Sequence, residues 1–216
     1  MIKIEDVCIE GWKAAVRGMR NPMNSWDLSD SYETHVEDPE TLVEAPFEFF
    51  VGESDLKLMK NLVKAGTDHR KFLRFITVSL DVTAPLYWWK EADTYKVGTA
   101  CNSCSTMHKI HSKEFCIDDF SHEHLDEHST GLLDQIIGFL NIYRKYYLET
   151  KNKDDWWNMI QILPTSYNQK RTLLLNYEVL ANMYGSRRNH KLDEWREFCA
   201  WIETLPYSQL ITGKEG

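Results

Sequence analysis

ITVSLDVTAPLYWWKEADTYKVGTACNSCST, residues 76–106, decides how the chain folds. Its opening ITVSLDV (76–82) sets Ile76, Val78, Leu80 and Val82 on one face and polar side chains on the other. That period of two predicts a half-buried strand. Pro85 follows where a helix can start, because the N–H it lacks is one that a helix start leaves unpaired. Leu86 and Trp89 give that helix its apolar side. A polar cluster comes next: Lys90, Lys96 and the hydroxyls of Thr94, Tyr95, Thr99, Ser103, Ser105 and Thr106. Gly98 permits close backbone approach, and Asn102 carries a donor and an acceptor on one side chain. Such a set can hold a phosphate and a heterocycle together. It can equally be a Ser/Thr-rich turn that satisfies its own backbone, and spacing alone leaves both open.

Outward from this stretch, MIKIED alternates as a short strand, and Trp12, Ala15, Val16 and Met19 follow at helical spacing until NPMNS (21–25). Residues 26–53 are acidic and aromatic without a clean period and read as a long loop with short turns. Ser54 stands where it can cap a helix with Leu58, Met59, Leu62 and Val63 on its apolar face, stopped by Gly66. Leu132, Leu133, Ile136, Ile137, Leu140, Tyr143 and Tyr147 form one stripe of a helix over 131–148. A late helix is expected from about Ser166 to Tyr184, ending at Gly185. A further one holds Leu192, Trp195, Cys199 and Ile202. No repeat, low-complexity tract or linker interrupts the order, so the expectation is an α+β fold: a single helix-rich domain over 1–216 with a small antiparallel or mixed sheet.

The 216 residues are ample for a proper core. A net charge of −8 disfavours nucleic-acid backbones as partners, while a local basic pocket for a small phosphorylated ligand stays allowed. Five cysteines, an odd and sparse number, argue against a disulfide framework and for a reducing compartment. MIKIEDVCIEG has no apolar signal core, and no run is long enough to span a bilayer. A cytoplasmic protein without membrane attachment is expected.

Cys101-x-x-Cys104, followed by His108, His111, Cys116, His122, His124 and His128, offers zinc ligands at high density. Structural zinc sites pair two tight ligand couples, however, and only one cysteine couple is present. SHEHLDEH (121–128) also reads as a solvated, helix-capping loop. No helical period begins at Cys101, which weighs against a thioredoxin-like pair. No metal ligands are assigned. In the late helix, Asn176 and Asn182 are costly among apolar neighbours unless they bond something. Arg187 and Arg188 suit the end of that helix through its dipole.

The order of these features resembles the flavin-dependent thymidylate synthases, whose R-H-R-x-x-S-x-N-E-x-S signature follows a strand and helix. Thr94-Tyr95-Lys96 falls on the R-H-R triplet and Thr99 on its Ser. With one extra residue, Asn102, Ser103 and Ser105 fall on N, E and S. ILPTSYNQKRTLLLNYEVLANMYGSR (162–187) is similar to the family's L-P segment and the helix after it. This resemblance implies FAD as cofactor, NADPH and methylenetetrahydrofolate as co-substrates, a dUMP-like pyrimidine nucleotide as acceptor, and a homotetramer. The implied reaction is reductive one-carbon transfer to the pyrimidine, without an enzyme nucleophile and with no catalytic residue assigned. Tyr95, Lys96, Asn102, Asn176 and Asn182 are implied to bind the cofactor. Glu91, Ser103, Cys104, Ser105, Thr106 and Arg187 are implied to line the substrate site, with Arg187 supplying charge to a phosphate or base oxygen. The chain departs from the signature where Thr94, Lys96 and Ser103 replace Arg, Arg and Glu. Met107 and Ile160 stand where the family places further nucleotide-binding arginines. A changed nucleotide, or a nucleotide- and flavin-binding protein of altered chemistry, is the alternative, with a zinc-binding protein a further one.

Overall fold

The computed structural model describes residues 2–35 and 47–214. β1 (Lys3–Glu10) turns at Gly11 into α1 (Trp12–Arg20). Only glycine fits that turn: its φ is +93°, and a Cβ would lie 1.9 Å from the Phe75 carbonyl oxygen. The predicted face of α1, Trp12, Ala15, Val16 and Met19, is buried.

Within the stretch expected to be a loop, β2 (Tyr32–His35) pairs antiparallel with β3 (Phe47–Phe50). Residues 36–46 of that loop lie outside the described residues. Strands of this length carry no readable period, and their partnership is visible only across the hairpin, where Tyr32 stacks on Phe50 at 5.5 Å. α2 (Glu53–Lys64) follows, ending before Gly66 as its sequence predicts. Its cap is not Ser54, which lies inside the helix. Asp30 reaches over from the preceding segment and accepts hydrogen bonds from the Ser54 and Asp55 amides at 2.8 and 3.0 Å. A cap donated from that far back in the chain leaves no local signature.

The alternating stretch forms β4 (Thr77–Pro85), with Val78, Leu80, Val82 and Ala84 buried. After it come α3 (Leu86–Ala92), β5 (Ala100–Ser103), α4 (Thr106–Lys109), α5 (Glu127–Thr150) and α6 (Lys153–Ile162). The expected late helix is instead a strand and a helix: β6 (Asn168–Asn176), then α7 (Tyr177–Arg187), which continues through Gly185. The Leu173-Leu174-Leu175 run has no period of its own, and leucine favours helix locally. Pairing with β4 on one side and β5 on the other overrides that preference. α8 (Asp193–Glu203) buries Trp195, Cys199 and Ile202, and α9 (Gln209–Thr212) closes the described chain.

The strands form an antiparallel sheet in the order β1-β4-β6-β5, so the α+β expectation holds. One face carries the main core, with Trp88, Trp89, Trp195, Tyr177 and Phe198 among its largest buried side chains. A second core gathers Ile110, Phe115, Phe120, Leu133, Leu140 and Met159 under α5 and α6. The other sheet face is polar, with Asp81 accepting from Thr172 at 2.6 Å and pairing with Lys170 at 2.9 Å. No helix among the described residues is long and apolar enough to cross a membrane.

Candidate functional site

The end of α3 and the segment behind it meet the last residue of α7 in a charged aromatic cluster. Arg187, the last residue of α7, donates from Nη1 to Glu91 Oε2 at 2.7 Å and from Nε to the Tyr95 hydroxyl at 3.0 Å. Its guanidinium lies 4.9 Å from the Trp195 ring centre and 5.7 Å from that of Tyr95. The same Glu91 oxygen accepts from Trp195 Nε1 at 3.0 Å and lies 3.3 Å from His190 Nε2. Three predicted residues, Glu91, Tyr95 and Arg187, thus meet directly. The Arg187 charge is already offset by a carboxylate and stacked on aromatic faces.

The asparagines do not sit inside an apolar helix. Asn176 is the N-cap of α7: its Oδ1 accepts from the Val179 amide at 3.0 Å, while Nδ2 reaches the Gly98 carbonyl at 3.5 Å. Gly98 has φ +78°, and a Cβ there would meet Asn176 Nδ2 at 3.0 Å, so glycine permits this approach. Asn182 is exposed, and its Oδ1 accepts from Arg70 Nη2 at 3.3 Å. Arg70 also donates from Nη2 to Glu178 at 3.0 Å. Lys96 and Asn102 are exposed and make no side-chain hydrogen bond among the described residues.

Ser103, Cys104, Ser105 and Thr106 follow along β5 and its exit. Ser103 pairs in register with Arg171, and the Cys104 carbonyl accepts from Gln169 Nε2 at 2.7 Å. Ser105 caps α4, accepting from the His108 amide at 3.0 Å. Cys104, Ser105 and Thr106 line a cavity of about 350 Å³ with Lys109, Lys113 and Asn168. Cys101 and Cys104 are exposed, free thiols. Odd spacing along an extended chain turns such side chains to opposite faces. Among the described residues no three His, Cys, Asp or Glu groups gather as a metal site. Of the histidines in that stretch, His122 Nδ1 lies 2.8 Å from the Phe120 carbonyl and His124 Nε2 lies 3.1 Å from Asp193.

Gln169 and Arg171 were not singled out from sequence, yet they join the two halves. Arg171 donates to Gln169 Oε1 at 2.9 Å and to Asp93 at 2.8 Å, and lies 4.2 Å above the Trp89 ring. Trp195 and His190 were likewise missed as partners of Glu91. The alternation Gln169, Arg171, Leu173, Leu175 was the available signal, legible once 168–176 is taken as a strand.

No protein-family model matches the chain, and no curated protein matches it by sequence. Solved structures do match its fold. Thymidylate synthase X (ThyX) from Helicobacter pylori, crystallised with FAD and dUMP, is 14% identical with a TM-score of 0.68, over 98% of this chain and 97% of that one. A second structure of flavin-dependent thymidylate synthase ThyX from Helicobacter pylori, also with FAD and dUMP, gives 0.67 at 15% identity over 97% of each chain. The UMP/dUMP methylase PolB from Streptomyces cacaoi, bound with 5-Br dUMP, gives 0.62 at 14% identity over 99% of this chain and 95% of that one. The chain has the fold of the flavin-dependent thymidylate synthases along its whole length.

Proposed function

We propose that this protein is a divergent flavin-dependent thymidylate synthase-like enzyme that binds FAD and transfers a one-carbon unit reductively to the pyrimidine of dUMP or a related nucleotide. The observation that carries the reading is whole-length fold likeness to proteins crystallised with FAD and dUMP. NADPH and methylenetetrahydrofolate are the proposed co-substrates, and a cytoplasmic homotetramer the proposed form. An exposed apolar row on α5 (Leu132, Phe139, Ile142 and Tyr146) supports self-association.

The residues present fit a flavin dinucleotide. Lys96 offers an unpaired charge to a pyrophosphate, Asn102 a free amide, Gly98 close backbone approach, and Tyr95 an aromatic ring. Asn176 and Asn182 contribute what their own bonds leave: Asn176 keeps only a long contact from Nδ2, and Asn182 keeps its own Nδ2 donors. Bound FAD would supply the hydride chemistry. The protein's part is then to bind, orient and exclude water. Glu91 fixes the Arg187 guanidinium, and Tyr95 and Trp195 hold its plane, so that a nucleotide would meet it in one orientation.

The test is an absorbance spectrum of the purified protein followed by a dUMP methylation assay with NADPH and methylenetetrahydrofolate. Expected are a flavin spectrum and growth rescue of a thymidine-requiring bacterium. A colourless protein that takes up no FAD would overturn the cofactor assignment. FAD uptake with no turnover of dUMP or UMP would favour the binding protein of altered chemistry, the reading to which the missing signature arginines point.

A further inference from the structure

Glu91 uses its two carboxylate oxygens unequally. Oε2 receives Arg187 Nη1 at 2.7 Å and Trp195 Nε1 at 3.0 Å, with His190 Nε2 at 3.3 Å. The Leu192 amide donates to His190 Nδ1 at 3.2 Å, which places the proton of the neutral ring on Nε2, facing Glu91. Oε1 has no hydrogen bond among the described residues and is open to solvent. Arg187 is likewise half committed. Its Nε donates to the Tyr95 hydroxyl at 3.0 Å and its Nη1 to Glu91, while Nη2 has no acceptor among the described residues.

The pair is set on the core and still reachable. Trp195 is fully buried and its ring centre lies 4.9 Å from the guanidinium, while the Arg187 and Glu91 side chains stay 20% and 34% exposed. A ligand arriving here meets one free acceptor, Oε1, beside free N–H donors. Acceptor followed by donors is the pairing edge of guanine, and its complement is cytosine, whose 4-amino group donates while N3 and O2 accept. Uracil inverts the first two places. Its O4 would face Oε1, two acceptors with no proton between them. Shifted to bring N3–H to Oε1, uracil leaves one carbonyl outside the pair.

We propose that the Glu91–Arg187 pair selects a cytosine nucleotide, with Glu91 Oε1 accepting from the 4-amino group and Arg187 Nη2 donating to N3 or O2. An arginine alone would offer only donors, which suit the carbonyl oxygens of uracil. Glu91 is therefore the residue that sets the preference. That a nucleotide binds here rests on the function proposed above, which this inference narrows from dUMP or a related nucleotide to the cytosine class. The preference itself rests on which atoms of the pair are free.

The test is calorimetric titration of the full-length protein, supplied with FAD, with dCMP and dUMP and with CMP and UMP. Within each couple the sugar and phosphate are the same, so the affinity ratio reports the base alone. A fifth ligand, the nucleotide of pyrimidin-2-one, keeps N3 and O2 and lacks the amine. Expected is a cytosine nucleotide bound at least about tenfold tighter than its uracil counterpart, the scale of one good base-edge pair, and tighter than the pyrimidin-2-one nucleotide. Glu91→Gln, whose amide can turn either end outward, should bring the ratio to about one. Its unfolding midpoint is measured alongside, and the wild-type comparison stands without the variant. Uracil nucleotides bound equally or tighter, a pyrimidin-2-one nucleotide bound as tightly as cytosine's, binding of none of the five, or an unchanged ratio in folded Glu91→Gln overturns the proposal. The two readings fail separately. A cytosine preference in a protein that takes no FAD keeps the selectivity and removes the reaction. FAD uptake with methylation of dUMP and no cytosine preference keeps the reaction and removes the selectivity.

Discussion

Asp55 shows how much one carboxylate can organise. It is fully buried and accepts from Arg20 Nε, Ser29 Oγ and Ser31 Oγ, each at 2.6 Å. Arg20, also buried, donates onward to the Ser25 and Leu28 carbonyls at 3.1 and 2.9 Å. The pair therefore ties α1, the segment behind it and α2 together. Burial alone would raise the Asp55 carboxyl, but the bonds from Ser29, Ser31 and Arg20 outweigh it and hold the group below its ordinary value. A carboxyl depressed by folding adds stability that is present above its unfolded pKa, about 3.9, and is lost as pH falls through the lower folded value. Urea midpoints measured down the acid range should fall more steeply below about pH 4 in the wild type than in Asp55→Asn. At neutral pH Asp55→Ala should cost about 3–5 kcal/mol, because it strands a buried guanidinium. Neither partner was legible from sequence: Arg20 and Asp55 look like surface residues until the chain is folded.

At the scale of elements, the turns and caps carry information that hydrophobic period does not. Gly11→Ala puts a Cβ 1.9 Å from the Phe75 carbonyl oxygen at a φ of +93°, so the β1–α1 turn must break. Its thermal unfolding should show a loss of at least about 3 kcal/mol, or no cooperative transition. Asn176 has two candidate roles that a pair of variants separates. As N-cap of α7 it should cost about 1 kcal/mol when changed to Ala and little when changed to Asp. If its amide also meets the flavin, Asn176→Asp should retain stability in denaturant titration yet take up FAD more weakly. β4 and α1 were readable because each has one buried face. β6 was not, because a strand paired on both sides beside a leucine run looks like helix until its neighbours are known.

For the whole molecule, α5 carries apolar residues beyond its buried stripe. Leu133 and Leu140 are buried, while Leu132, Phe139, Ile142 and Tyr146 are 59%, 55%, 47% and 49% exposed. The proposed homotetramer would cover such a row. Sedimentation should find an assembly larger than the monomer, and Phe139→Glu with Tyr146→Glu should weaken it at least about tenfold while leaving the monomer folded. A monomeric wild type at micromolar concentration would remove the tetramer. What the sequence by itself determined is the α+β class, the central strand, the start of α1 and the polar composition of the 90–106 segment. Alternation, helical spacing and turn residues act locally, so they can be read locally. The tertiary structure alone decided that Arg187 is neutralised by Glu91, that the asparagines cap and brace instead of lying in a core, and that Cys104, Ser105 and Thr106 share a cavity with Lys109 and Asn168. Charge and hydrogen-bond partners are chosen across folded distance, and residues 91 and 187 have no way to announce each other along the chain.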